Sequence, residues 1–114
     1  MVFKNQSYSE EPVQIYSQKQ LDDLINDKGH INQSIIINDI SIRELRGIKK
    51  IYGDLGVYSN SLEDFGELNY IKGDFWISSR SGERLKSLGK IERVGGKVDL
   101  KGTNIIDLGC LWRL

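Results

Sequence analysis

The sequence is poor in the residues that carry most protein chemistry: its 114 residues include one cysteine, one histidine, one methionine and one proline. A lone Cys110 excludes an internal disulfide, and without clustered Cys and His there is no spacing for a zinc site. A Ser-His or Cys-His nucleophile system would rest on His30 alone, which reads more simply as a solvent-facing turn residue between cap and repeats. No segment approaches the roughly 20 apolar residues of a membrane span. The opening Met1-Val2-Phe3-Lys4-Asn5-Gln6 turns polar at once, unlike a secretory signal, so the expected compartment is the cytoplasm. Charge of either sign is not in excess, with 16 Lys+Arg against 16 Asp+Glu. That balance argues against nucleic acid or an anionic membrane as partner, since both need a cationic surplus.

What the chain does have is glycine, twelve residues in all, and the glycines are periodic. Gly53, Gly73 and Gly96 stand 20 and 23 residues apart, each followed by a charged residue and alternating apolar positions: Leu55 and Val57, Phe75 and Ile77, Val98 and Leu100. After each pair an apolar residue recurs every third position: Leu62, Phe65, Leu68, Ile71; Leu85, Leu88, Ile91, Val94; Ile105, Leu108, Leu111, Leu114. An earlier copy runs Ile35, Ile37, Ile42, Leu45, Ile48, Ile51. Gly66, Gly89 and Gly109 form a second phase, which slips by one residue to Gly47 in the first copy. Glycine at fixed phases implies positive φ or close approach between turns. The extra residues of the third copy fall in the polar stretch from Ser78 to Arg84.

Short alternating segments at this period predict parallel strands stacked one per turn, with apolar columns buried between turns. A period of three suits an irregular or 3₁₀-like return path better than a helix. The fold expected is therefore a repeat solenoid, mainly β, of about four parallel-strand turns of 20–23 residues, comprising residues 34–114. Residues 1–33 are expected to cap it. Val13-Gln14-Ile15, with Pro12 at its start, predicts a strand; Ser17-Gln18-Lys19-Gln20 has capping-box spacing, Leu21, Leu24 and Ile25 form an apolar stripe, and Gly29 is the expected stop. The far end lacks an evident cap, so either Trp112 folds over it or a second copy associates there.

The stretch Leu55-Gly56-Val57-Tyr58-Ser59-Asn60-Ser61-Leu62 resembles the core of a leucine-rich repeat, L-x-L-x-x-N-x-L. The likeness extends over roughly residues 34–114 and departs from the pattern at the Asn60 phase, which is Ile40 in the first copy and Thr103 in the last. It implies an atypical, short leucine-rich-repeat-like protein of bacterial or phage type. For a phage protein, it suggests a small inhibitor of a bacterial defence protein.

No catalytic set, cofactor motif or phosphate loop is legible; Gly95-Gly96-Lys97 lacks the rest of a Walker pattern. The one enzymatic alternative is Asp54 with Asp74, on adjacent strands about 4.8 Å apart, but outward carboxylates on a repeat surface are ordinarily solvated. The outward face offers more. Ile36, Tyr58 and Trp76 are apolar positions among small and charged ones, ringed by Asp54, Asp74, Asp99, Arg80 and Arg84. An aromatic centre with mixed charge around it is the anatomy of a protein contact. Trp76 has a second reading, as a cover for the Gly56 beside it. The expected function is non-enzymatic protein binding by occupancy; the alternative is carbohydrate recognition by Trp76 and Tyr58. Residues 34–114 carry 13 basic against 11 acidic side chains, too slight a surplus for a nucleic-acid footprint.

Overall fold

The computed structural model describes residues 11–38, 41–59, 61–78, 85–103, 105 and 108–111. The chain is a parallel β-solenoid of about four turns. Strands β1 (Val13–Ile15), β3 (Ile35–Ile37), β5 (Leu55–Val57), β7 (Phe75–Ile77) and β9 (Val98–Asp99) form one sheet in that order, every pair parallel. The register is in phase throughout: Ile35 pairs with Leu55, Leu55 with Phe75, and Phe75 with Val98. Positions either side of the 78–84 stretch keep that phase; Arg80 and Arg84 themselves lie outside the described residues.

The return path departs from expectation. It is not wholly irregular but carries a second parallel sheet built from two-residue strands: β2 (His30–Ile31), β4 (Lys50–Ile51), β6 (Tyr70–Ile71) and β8 (Arg93–Val94). The fourth apolar residue of the first three triplet series, Ile51, Ile71 and Val94, is the inward member of such a strand, with Ile51 and Ile71 fully buried, and Ile31 holds the same place in β2. His30, read as a turn residue, is a strand residue paired with Lys50. Between the sheets the chain turns at Leu45-Arg46-Gly47-Ile48 and Phe65-Gly66-Glu67-Leu68. In the second of these Leu68 N–H donates to Phe65 O, with Gly66 at φ +62. Gly47 stands one place later, at φ +84, where a type II turn takes its positive φ. The slip in the glycine register is thus a change of turn type.

The first glycine phase has another reason. Gly53 does not need positive φ, but a Cβ there would lie 2.6 Å from Gln33 C and Ser34 N of the preceding turn. At the next two turns the room is taken by a carboxylate. Asp54 N–H donates to Ser34 Oγ at 2.8 Å, Asp74 N–H to Asp54 Oδ1 at 2.8 Å, and Lys97 N–H to Asp74 Oδ1 at 2.9 Å. A Cβ on Gly73 or Gly96 would run into that Oδ1. The Gly-Asp pair is therefore a unit: the aspartate ties its turn to the next, whose glycine leaves space for it.

The interior is one continuous apolar column set running from Ile15 and Leu21 to Leu111, with Phe65 and Phe75 its largest buried side chains. Toward the last turn cover falls away: Val94, Val98, Leu100 and Ile105 are only partly buried and Leu108 is exposed. At the other end, α1 (Gln18–Leu24) and β1 close the coil, as the strand-plus-helix reading expects. Ser17, at φ −155, ψ 157, accepts from Gln20 N–H, while Gln20 Oε1 reaches past the N-cap to Tyr16 N–H. The helix stops at Leu24, earlier than Gly29, which instead closes the turn begun at Asn26. Ser17→Ala is expected to lower stability by about 1 kcal/mol, read by chemical denaturation. Among the described residues no helix is long and apolar enough to cross a membrane.

Candidate functional site

The outer face of the five-stranded sheet is set by pleat alternation. With Ile35, Ile37, Leu55, Val57, Phe75 and Ile77 pointing into the core, the residues between them point out. The register aligns Gln14, Ile36, Gly56, Trp76 and Asp99 as one outward row across all five strands. Ile36 and Trp76 are half-buried. Trp76 lies over Gly56, close enough that a Cβ on that glycine would overlap the benzo ring; Gly56 is buried as a result. The glycine lets the indole lie against the backbone, so both readings of Trp76 meet in one geometry: it covers Gly56 and leaves part of its ring open.

The next outward position holds Asn38, Tyr58 and Ser78, tied across turns by Asn38 N–H to Ile15 O, Tyr58 N–H to Ile37 O and Ser78 N–H to Val57 O. Tyr58 is 43% exposed, a large value for an aromatic on a sheet. Asn38 Nδ2 donates to Gln14 Oε1 at 2.6 Å, which fixes a polar border beside Ile36. Asp99 is exposed and adjacent to Trp76 in the row; its Oδ1 accepts from Lys101 N–H at 3.1 Å.

Asp54 and Asp74 occupy the expected face, but each has an Oδ1 committed to the backbone of the next turn. They border the aromatic row chiefly as structural ties. A cavity of about 760 Å³ lined by Val94, Gly96, Lys97 and Leu100 opens on the last turn next to Asp74, and among the described residues no group of three or more His, Cys, Asp or Glu is placed to hold a metal ion. Cys110 is exposed on the last turn, its N–H donating to Gly89 O.

The second sheet carries a feature the sequence reading missed. His30, Lys50, Tyr70 and Arg93 form its outward row, and Tyr52 follows β4 on the same side. The rings of His30 and Tyr52 meet edge-on at 5.2 Å, those of Tyr52 and Tyr70 at 5.7 Å. In the sequence Tyr52 sits between Ile51 and Gly53 and Tyr70 between Asn69 and Ile71, and only the register across turns reveals the row.

No family model matches this sequence, and no curated protein or solved structure matches it. What the molecule does is therefore argued from its own two faces.

Proposed function

We propose that this protein is a non-enzymatic binding module that engages another protein through the outer face of the five-stranded sheet. The observation that carries this reading is the row Ile36–Gly56–Trp76 with Tyr58 beside it: aromatic and aliphatic area on a hydrogen-bonded sheet, bordered by Asn38, Asp99 and the aspartate ties. Aromatics held on a rigid scaffold lose little entropy on contact, which is why such positions dominate binding energy. Action by occupancy is part of this reading: the protein would mask or inhibit a larger cytoplasmic partner. The leucine-rich-repeat likeness and a phage anti-defence role belong to the same proposal.

The test is a photo-crosslinking residue placed at position 58, with a second at position 86 as reference. A single protein crosslinked from position 58 and not from 86 is expected, with Trp76→Ala weakening its capture by roughly 30-fold, the loss of about 2 kcal/mol typical of a hot spot. Equal capture by the Trp76 variant would count against the reading. The flat seat of Trp76 also favours a second reading, sugar stacking on its open face; retention on a glycan array, lost in Trp76→Ala and without a protein crosslink, would establish that instead.

A further inference from the structure

We propose that the outer face of the second sheet is a separate binding site, and that its ligand is a short single-stranded nucleic acid. A cleft of 460 Å³ opens on this face, lined by Lys50, Tyr52, Asn69, Tyr70, Glu92 and Arg93. Its rings are a continuous edge-to-face series from His30 through Tyr52 to Tyr70, and Tyr52 is 38% exposed. Lys50 Nζ stands 5.6 Å from the Tyr70 ring centroid and 2.8 Å from Asn69 Oδ1, so its charge is positioned by neutral groups and not cancelled by an acid.

Part of the basic side chains elsewhere are neutralised by carboxylates: Lys19 by Asp23, Arg43 by Glu63, Arg46 by Glu44, and Lys90 by Glu67. Among the described residues Lys50, Lys72 and Arg93, which lie in or follow the strands of this sheet, have no acidic partner. Within the cleft itself two cations, Lys50 and Arg93, face one acid, Glu92. Successive strands of a sheet lie about 4.8 Å apart, so Lys50 and Arg93, two strands distant, are separated by about 10 Å along the backbone row.

Unpaired cations spaced along a row, with aromatic rings between them, fit a ligand that alternates anionic and planar groups. A single nucleic-acid strand does so: phosphates meet the Lys and Arg side chains while bases stack on exposed rings, at a stacking contribution of about 1–3 kcal/mol per base. An acidic peptide would satisfy the cations and leave the rings unused. Duplex DNA presents its phosphates but keeps its bases stacked on one another. Glu92, the one carboxylate in the lining, repels phosphate and accepts hydrogen bonds from base amino groups.

The experiment is fluorescence anisotropy of the intact protein with a labelled single-stranded DNA of about a dozen nucleotides. Saturable binding is expected, falling roughly tenfold between about 50 and 200 mM salt, as displacement of a few counterions requires. Tyr52→Ala and Arg93→Glu should each weaken it roughly tenfold, Tyr52→Phe should retain it, and Lys86→Glu, the same charge change off this face, should leave it unchanged. Both losses count only with the variant's thermal unfolding matching wild type; Tyr52→Phe provides the comparison should Tyr52→Ala unfold. No saturable binding, equal binding of a duplex of the same length, equal competition by a polyglutamate peptide, or weakening by Tyr52→Phe as large as by Tyr52→Ala would overturn the proposal.

Discussion

Phe75→Ala is expected to lower unfolding stability by about 3–5 kcal/mol, enough to abolish the folded state in a marginal host. Phe75 is fully buried at the middle of the column Ile35–Leu55–Phe75–Val98, and its ring meets Phe65 edge-on, 5.7 Å between centroids at 79°. Truncation therefore removes the apolar transfer term, leaves a cavity between two turns, and deprives Phe65 of its partner, itself worth about 0.5–1.5 kcal/mol. In a coil each turn rests only on its neighbours, so a void at the third turn separates the two ends of the stack. Urea denaturation reads the loss directly. Leu108→Ala provides the contrast: it sits at the repeat phase of Leu45, Phe65 and Leu88, which are buried, but is itself exposed, and should cost under about 1 kcal/mol. Losses of equal size in the two variants would mean that the column does not set stability.

Gly53→Ala should cost about 3 kcal/mol, and Gly47→Ala only about 1. The pair separates two reasons for glycine. At position 47, φ is +84 and a Cβ would have nothing within 4 Å, so the penalty is the left-handed backbone alone. At position 53 the added carbon lies 2.6 Å from Gln33 C and Ser34 N and 2.8 Å from Ser34 Oγ. Two of those atoms are backbone, and the third accepts from Asp54 N–H. Relief requires the two turns to part, which breaks the first rung of the hydroxyl and carboxylate ladder and strains the strand pairing beside it. Denaturation of both variants under one set of conditions measures the difference directly; similar costs would show that crowding at position 53 is relieved more cheaply than this.

The columns of the first sheet were legible because three-residue strands leave a visible alternation and because the period repeats it. The second sheet was not, for a physical reason: Lys50-Ile51 and Tyr70-Ile71 are too short to alternate, and their inward isoleucines continue the three-residue spacing of the turns. The tyrosine row went unseen with them. Asp54 and Asp74 read as surface charge because an aspartate before a strand usually is, and Asp74 is indeed exposed. Their further role as ties between turns is signalled by the Gly-Asp dipeptide, since a glycine one period after an aspartate is the space that its side chain needs. Trp76 and Gly56 were paired correctly from register alone, because parallel stacking in phase brings residues one period apart side by side.

The ladder of Ser34, Asp54, Asp74 and Lys97 gives the coil a direction. Ser34, Asp54 and Asp74 each offer an oxygen to the turn that follows, and each takes part in a hand-over that repeats without change of register. Lys97 N–H donates to Asp74 Oδ1, but the Lys97 side chain has only hydrogens to offer onward. The side-chain hand-over therefore ends at Lys97, a change from acceptor to donor in one column, and past it only the backbone ladder can tie one turn to another.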